Sequence, residues 1–114
     1  MSAESEFDAA MRNRYAVEIP AATRYRPMRM IEMIDEYGAI EAVRRLMAQY
    51  ESYASEGYRR LWECQRLDLS FEALMQEPRF ASLFSADELA WARRRLQEYG
   101  YPPPDGFIET AAKS

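Results

Sequence analysis

Apolar residues along this 114-residue chain recur every three or four positions and nowhere alternate singly over the length of a strand, so the pattern predicts helices throughout. Phe7, Met11 and Tyr15 share one face of a helix over residues 3–17, with Glu4, Glu6 and Asp8 near its start and Arg12 and Arg14 near its end, as the helix dipole favours. Its apolar stripe is narrow, which suits an arm docked on the domain or on a partner. Ile19-Pro20 is expected to end it, with residues 21–26 as linker. Pro27 fits a first helical position, and Met30, Met33, Ile34 and Tyr37 follow on a core-facing stripe that Ile31 widens. Gly38 closes that helix as a residue of positive φ, and Ala39 begins a second run at Ile40, Val43, Leu46, Met47 and Tyr50. So short a link predicts a tight corner or hairpin.

Residues 51–55 form a polar break whose serines offer a cap for a helix over residues 56–65. Tyr58, Leu61, Trp62 and Gln65 fall on one face of it, placing Trp62 at the centre of the core. Leu67-Asp68-Leu69 reads as an extended link, Ser70 as the cap of a brief helix, and Pro78 as the start of another that carries Phe80, Leu83 and Phe84. Ser85 and Glu88 form a capping box, with Phe84 and Leu89 as its hydrophobic staple, and the helix they open repeats Leu89, Ala92, Leu96 and Tyr99 until Gly100 stops it. The prolines after Tyr101 cannot continue a helix, and the chain beyond Phe107 is expected to be mobile. The expected fold is all-α, a compact single-domain bundle of about five to six short helices. Residues 1–24 read as an N-terminal helix or arm with its linker, residues 25–101 as the helical core domain, and residues 102–114 as a proline-rich tail.

Composition narrows the function classes. A formal charge of −4, with acids and bases interleaved, gives no general attraction to nucleic acid or anionic lipid. Cys64 is alone, so no intrachain disulfide forms, and the expectation is a buried or inert thiol in a reduced, cytoplasmic compartment. Neither a signal peptide nor a membrane-spanning run is visible.

The chain has no histidine, the commonest general base, and its thiolate and imidazole ligands together number one, so neither zinc nor any other metal is expected. Glu32, Asp35 and Glu36 share a helical surface that reads as a solvated acidic face, with a hard-cation site or a pair of catalytic acids as the remote alternative. Only four glycines occur, in no phosphate-cradling pattern, and no cofactor is predicted. The corner at Gly38 invites comparison with a DNA-reading helix-turn-helix in which Arg44 and Arg45 meet phosphates; Ile34 and Glu41 fit it poorly, and nucleic acid is not the expected partner.

What remains is surface. Eight tyrosines and two tryptophans exceed the need of a small core, and aromatic and arginine residues are enriched at protein interfaces. Trp91 lies off the main stripe of its helix, either as a second-layer core residue or as an anchor for another chain. Arg93, Arg94 and Arg95 point in three directions, so one of them lies close to the core boundary.

Several short runs carry a family resemblance: Tyr25-Arg26-Pro27, Gly38 with Ala42 and Leu46, Ser55-Glu56-Gly57-Tyr58 leading to Leu61-Trp62-Glu63, Arg66-Leu67-Asp68-Leu69-Ser70, Glu72-Ala73-Leu74, Pro78, Leu83-Phe84, and Ala92-Arg93 to Leu96. On these, residues 25–101 resemble a family of small bacterial helical domains with no assigned activity. The resemblance implies a compact helical module and carries over no catalytic residue. The resulting expectation is a non-enzymatic accessory or inhibitory module that binds another protein, or a second copy of itself, through Trp91, Arg94, Arg95 and Tyr99. The alternative is a small DNA-associated regulator using the corner at Gly38.

Overall fold

The computed structural model describes residues 2–50 and 54–101; residue 1, residues 51–53 of the polar break and the tail of residues 102–114, with its expected mobility, lie outside them. Among the described residues every regular element is a helix, in the order α1 (Ala3–Asn13), a π-helical turn (Arg14–Glu18), α2 (Ile19–Thr23), α3 (Met28–Tyr37), α4 (Ala39–Gln49), α5 (Glu56–Glu63), a 3₁₀ turn (Leu67–Leu69), α6 (Phe71–Met75), α7 (Pro78–Ala81) and α8 (Ala86–Glu98). The expected all-α architecture is what the chain adopts.

The N-terminal segment departs most from its expectation. The helix does not end at Pro20 but runs on to Thr23, because the turn before the proline widens: the Ile19 N–H reaches back five residues to the Arg14 carbonyl. A proline in a regular helix interior loses an N–H and clashes with the carbonyl four residues back, and the wide turn relieves that register. It also straightens the apolar stripe. Residues spaced by four drift about 40° around a regular helix at each step, and a wider turn takes some of that drift back. Phe7, Met11, Tyr15 and Ile19 are consequently all buried along one line. The segment is not an arm beside a core that begins at residue 25; it is the inner wall of a shared one.

The α3–α4 corner is held from that same wall. Gly38 has φ 84°, the left-handed region a side chain resists, and it offers no side chain to cap α4. Asp8 of α1 does so instead, its Oδ1 accepting from the Ala39 N–H at 3.0 Å. Asp8 also accepts from Arg12 Nε at 2.7 Å, and Arg12 donates to Asp35 at 2.6 Å and to the Ile34 carbonyl at the end of α3. One helix thus satisfies the orphan N–H at the start of α4 and adds a second donor to a carbonyl in the last turn of α3.

The remaining starts follow local sequence. Ser55 and Ser70 accept from the N–H groups of Tyr58 and Ala73, and Ser85 with Glu88 forms the full capping box. Leu67–Leu69 is a 3₁₀ turn and not an extended link, its N–H···O bonds running from Leu69 to Arg66 and from Ser70 to Leu67. Phe80 and Phe84 meet Phe7 edge-on, at 5.2 and 5.3 Å between ring centroids, and close the far end of the core.

Candidate functional site

Two features stand apart from this packing. The first is a cavity of about 80 Å³ between the π-helical turn, α3, α5 and α6, walled mainly by apolar surface such as Ile19, Met30 and Leu61. Polar residues on its wall include Tyr15, Tyr25, Arg29, Ser55, Tyr58 and Glu72. Tyr15 Oη accepts from the Phe71 N–H at 2.8 Å, which satisfies the first N–H of α6 from the other side of the core. The Tyr58 hydroxyl and Glu72 Oε1 are buried and have no hydrogen-bond partner. Glu72 belongs to a five-residue helix whose Phe71, Leu74 and Met75 are also buried, so the carboxyl has no solvent face to turn to. Burial raises its pKa to about 7, against smaller downward pulls from its own backbone N–H, Arg95 and Ser70. Burial likewise pushes the Tyr15 and Tyr58 phenols well above their ordinary range.

Arg95 is the cation nearest this cluster in character, though it forms no ion pair with Glu72. It is only 6% exposed; its Nη2 donates to the Tyr50 carbonyl at 2.6 Å, and the guanidinium lies 4.8 Å from the Trp91 ring centroid and 5.8 Å from that of Tyr58. It is thus the arginine of the last trio that meets the core boundary, and the expectation of Arg95 as a surface contact is corrected. A helix places residues 91, 95 and 99 on one inward-leaning stripe, whereas Arg94 is about 140° around from Tyr99. The four residues expected to form one contact face therefore do not share one: Trp91 and Tyr99 are half-buried against the core, Arg95 is inside, and Arg94 alone of the four is fully at the surface.

The second feature is an aromatic face. Trp62, expected in the core, is 47% exposed. Tyr58 and Leu61 take the inward side of α5, and the helix ends two residues later, with Gln65 at φ 59° turning the chain away. Trp62 rests edge-on against Tyr99, 5.6 Å between centroids, and Tyr99 in turn meets Tyr58 at 5.1 Å. Leu67, Gly100 and Tyr101 complete a shallow groove with them. Cys64 is exposed on the turn beyond α5, so of the expected buried or inert thiol the buried alternative does not hold.

Asp35, Arg44 and Arg45, considered for other chemistry, are engaged within the chain. Arg44 clasps Glu88 at 2.7 and 3.2 Å, and Arg45 pairs with Glu41 and lies 3.9 Å from the Tyr37 ring centroid, so both arginines near the Gly38 corner have partners within the chain. Asp35 accepts from Arg12, and among the described residues no group of three or more potential metal-ligating side chains comes together. Among the same residues no helix is long and apolar enough to cross a membrane.

Sequence reasoning missed Glu72 and the partnership of Tyr15 with Tyr58. A signal was present: Glu72 is a lone acid within Leu69–Met75, a run too short and too apolar to give it a polar face. Comparison with family models, with curated protein sequences and with solved structures finds no match for this chain.

Proposed function

We propose that this chain is a non-enzymatic helical module that acts by binding another protein, as an accessory or inhibitory factor, with the aromatic face of Trp62, Tyr99 and Tyr101 as its contact surface. The observation that carries the reading is Trp62, a large ring left half in water beside a second aromatic in a shallow groove. Tryptophan and tyrosine combine wide apolar area with few rotatable bonds, and they dominate the energetic centres of protein interfaces. The contact set moves accordingly: Tyr99 keeps its place, Trp62 replaces Trp91, and Arg95 drops out as an internal brace.

The reading is tested by affinity capture from the native host with wild type, Trp62→Ser and Trp91→Phe, alongside light scattering of each. Trp62→Ser is expected to lose a protein that wild type and Trp91→Phe both retain. If the partner is a second copy, Trp62→Ser converts a dimer to a monomer. Equal recovery by all three, or recovery of nothing by any in a chain that scatters as a monomer throughout, removes the proposal.

A further inference from the structure

Beyond the aromatic face, we infer that Arg24, Arg26, Arg59 and Arg60 form a second contact surface, which receives a short acidic segment of a partner protein through its aspartate and glutamate side chains. The chain engages most of its arginines internally, with carboxylates, amides or backbone carbonyls as acceptors. Among the described residues the side chains of Arg24, Arg26, Arg59, Arg60 and Arg94 have no hydrogen-bond or ion-pair partner, and all five are exposed. Four of these five come together from two segments distant in sequence. The residues after α2 lie against the first turns of α5: Tyr25 packs over Gly57, where a Cβ would lie 3.5 Å from Tyr25 Cε2, and the Arg60 guanidinium is 5.4 Å from the Tyr25 ring centroid. Arg24 and Arg26 flank Tyr25 and Arg59 precedes Arg60, so four exposed arginines issue from the two sides of one contact.

The loop that carries the first two is held in place. The Arg24 N–H donates to the Pro20 carbonyl at 2.9 Å, the Tyr25 N–H to Thr23 Oγ1 at 3.0 Å, and the Thr23 hydroxyl to the Ile19 carbonyl at 2.8 Å. Arg24 has φ 63°, a left-handed conformation at a helix end that glycine or asparagine adopts at less cost. The fold needs only the backbone turn there, and the guanidinium has no acceptor among the described residues. The acids of the two segments are Glu56 and Glu63, which the four arginines outnumber two to one. Clustered like charges repel one another, and carboxylates, which guanidinium groups grip two-pronged, relieve that repulsion. Size selects the partner. α5 has 8 residues and is about 12 Å long, the reach of about four extended residues. The whole chain carries a charge of −4, so the surface outside the patch is acidic. A long polyanion such as nucleic acid runs off the patch onto like charge, whereas a short acidic segment does not. A lone phosphate engages fewer of the four arginines than a run of carboxylates.

The probe is tetra-aspartate with both ends blocked, titrated into the full chain by NMR at low and at physiological salt. Saturable shifts are expected in residues 24–26 and 56–60, with affinity falling as salt rises, because exposed charges are screened. The double variants Arg24→Gln/Arg26→Gln and Arg59→Gln/Arg60→Gln are each expected to bind about three- to tenfold more weakly, the loss of two exposed charge pairs. All four side chains face water, so the variants keep the fold, which circular dichroism checks. Arg79→Gln/Arg93→Gln removes the same charge elsewhere and is expected to bind within about twofold of wild type. Trp62→Ser is expected to bind as wild type does, which keeps this result separate from that for the aromatic face. No saturable shift at low salt, a loss in Arg79→Gln/Arg93→Gln or in Trp62→Ser as large as in the two arginine pairs, or binding of inorganic phosphate or a thymidylate oligonucleotide at least as tight as that of the peptide overturns the inference.

Discussion

The two ends of the long N-terminal helix pack against the same bundle in opposite ways. Around Phe7 and Met11 the neighbours are the rings of Phe80 and Phe84, and Phe7, Met11 and Phe80 are completely buried. Around Tyr15 and Ile19 the neighbours enclose a cavity, two phenols and a carboxyl, with polar atoms left without partners. A close-packed apolar end gains dispersion and burial with nothing left to satisfy, whereas a polar cavity in the same core keeps a standing cost. Stability is therefore concentrated at one end, and unsatisfied polar groups at the other.

The largest effect should come from breaking the closed end. Phe7→Ala removes a ring that meets two others, and a loss of about 3–5 kcal/mol is expected, against a total for such domains of about 5–15 kcal/mol. Urea denaturation checks it, and a loss below about 1 kcal/mol would show that the end repacks easily.

The polar end should respond in the opposite direction. The Glu72 pKa is raised from 4.5 to about 7, so the acid is neutral in both folded and unfolded chains at low pH. As pH rises from about 4.5 through 7 the unfolded chain releases this proton first, and stability falls by about 3 kcal/mol. Glu72→Gln lacks that term. The variant should match wild type near pH 4 and exceed it by about 3 kcal/mol at pH 8; a difference that stays constant across this window contradicts the assignment.

Tyr15→Phe tests a satisfied contact at that end, the bond from the Phe71 N–H. It strands the Phe71 N–H inside the core, with an expected loss of about 1–3 kcal/mol and faster amide exchange at Phe71. Trp62→Ser, outside both ends, should cost no more than about 1 kcal/mol, since much of the ring already faces water. A larger loss would make Trp62 a structural residue and weaken its role as a contact.

Most helix starts and stops were legible because they are written within a few residues. The side chains of Ser85 and Glu88 each accept from the other's backbone N–H, and Gly100 at φ 80° ends the last helix as its residue type suggests. The cap of α4 was not legible, because Asp8 arrives from another helix 31 positions away. Trp62 misled because helical spacing gives a shared face without saying how far that face is covered, and Tyr58 and Leu61 claim the inward side. The narrow stripe of the first helix misled in the converse way, since a line one residue wide is enough when other elements surround it. The candidate site was nearly invisible: Glu72 shows in the sequence as a lone acid in an apolar run, but its meeting with Tyr15 and Tyr58 joins three distant parts of the chain.

The sequence by itself determined that this chain is all helical, where most of its helices begin, and that histidine-based chemistry is absent, because capping, turn geometry and residue type act over a few bonds. Only the tertiary structure decided that the first helix is the inner wall, that Arg95 is inside while Trp62 faces out, and that a carboxyl and two phenols share a cavity. Burial belongs to no residue alone, because it depends on what the rest of the chain brings to its side.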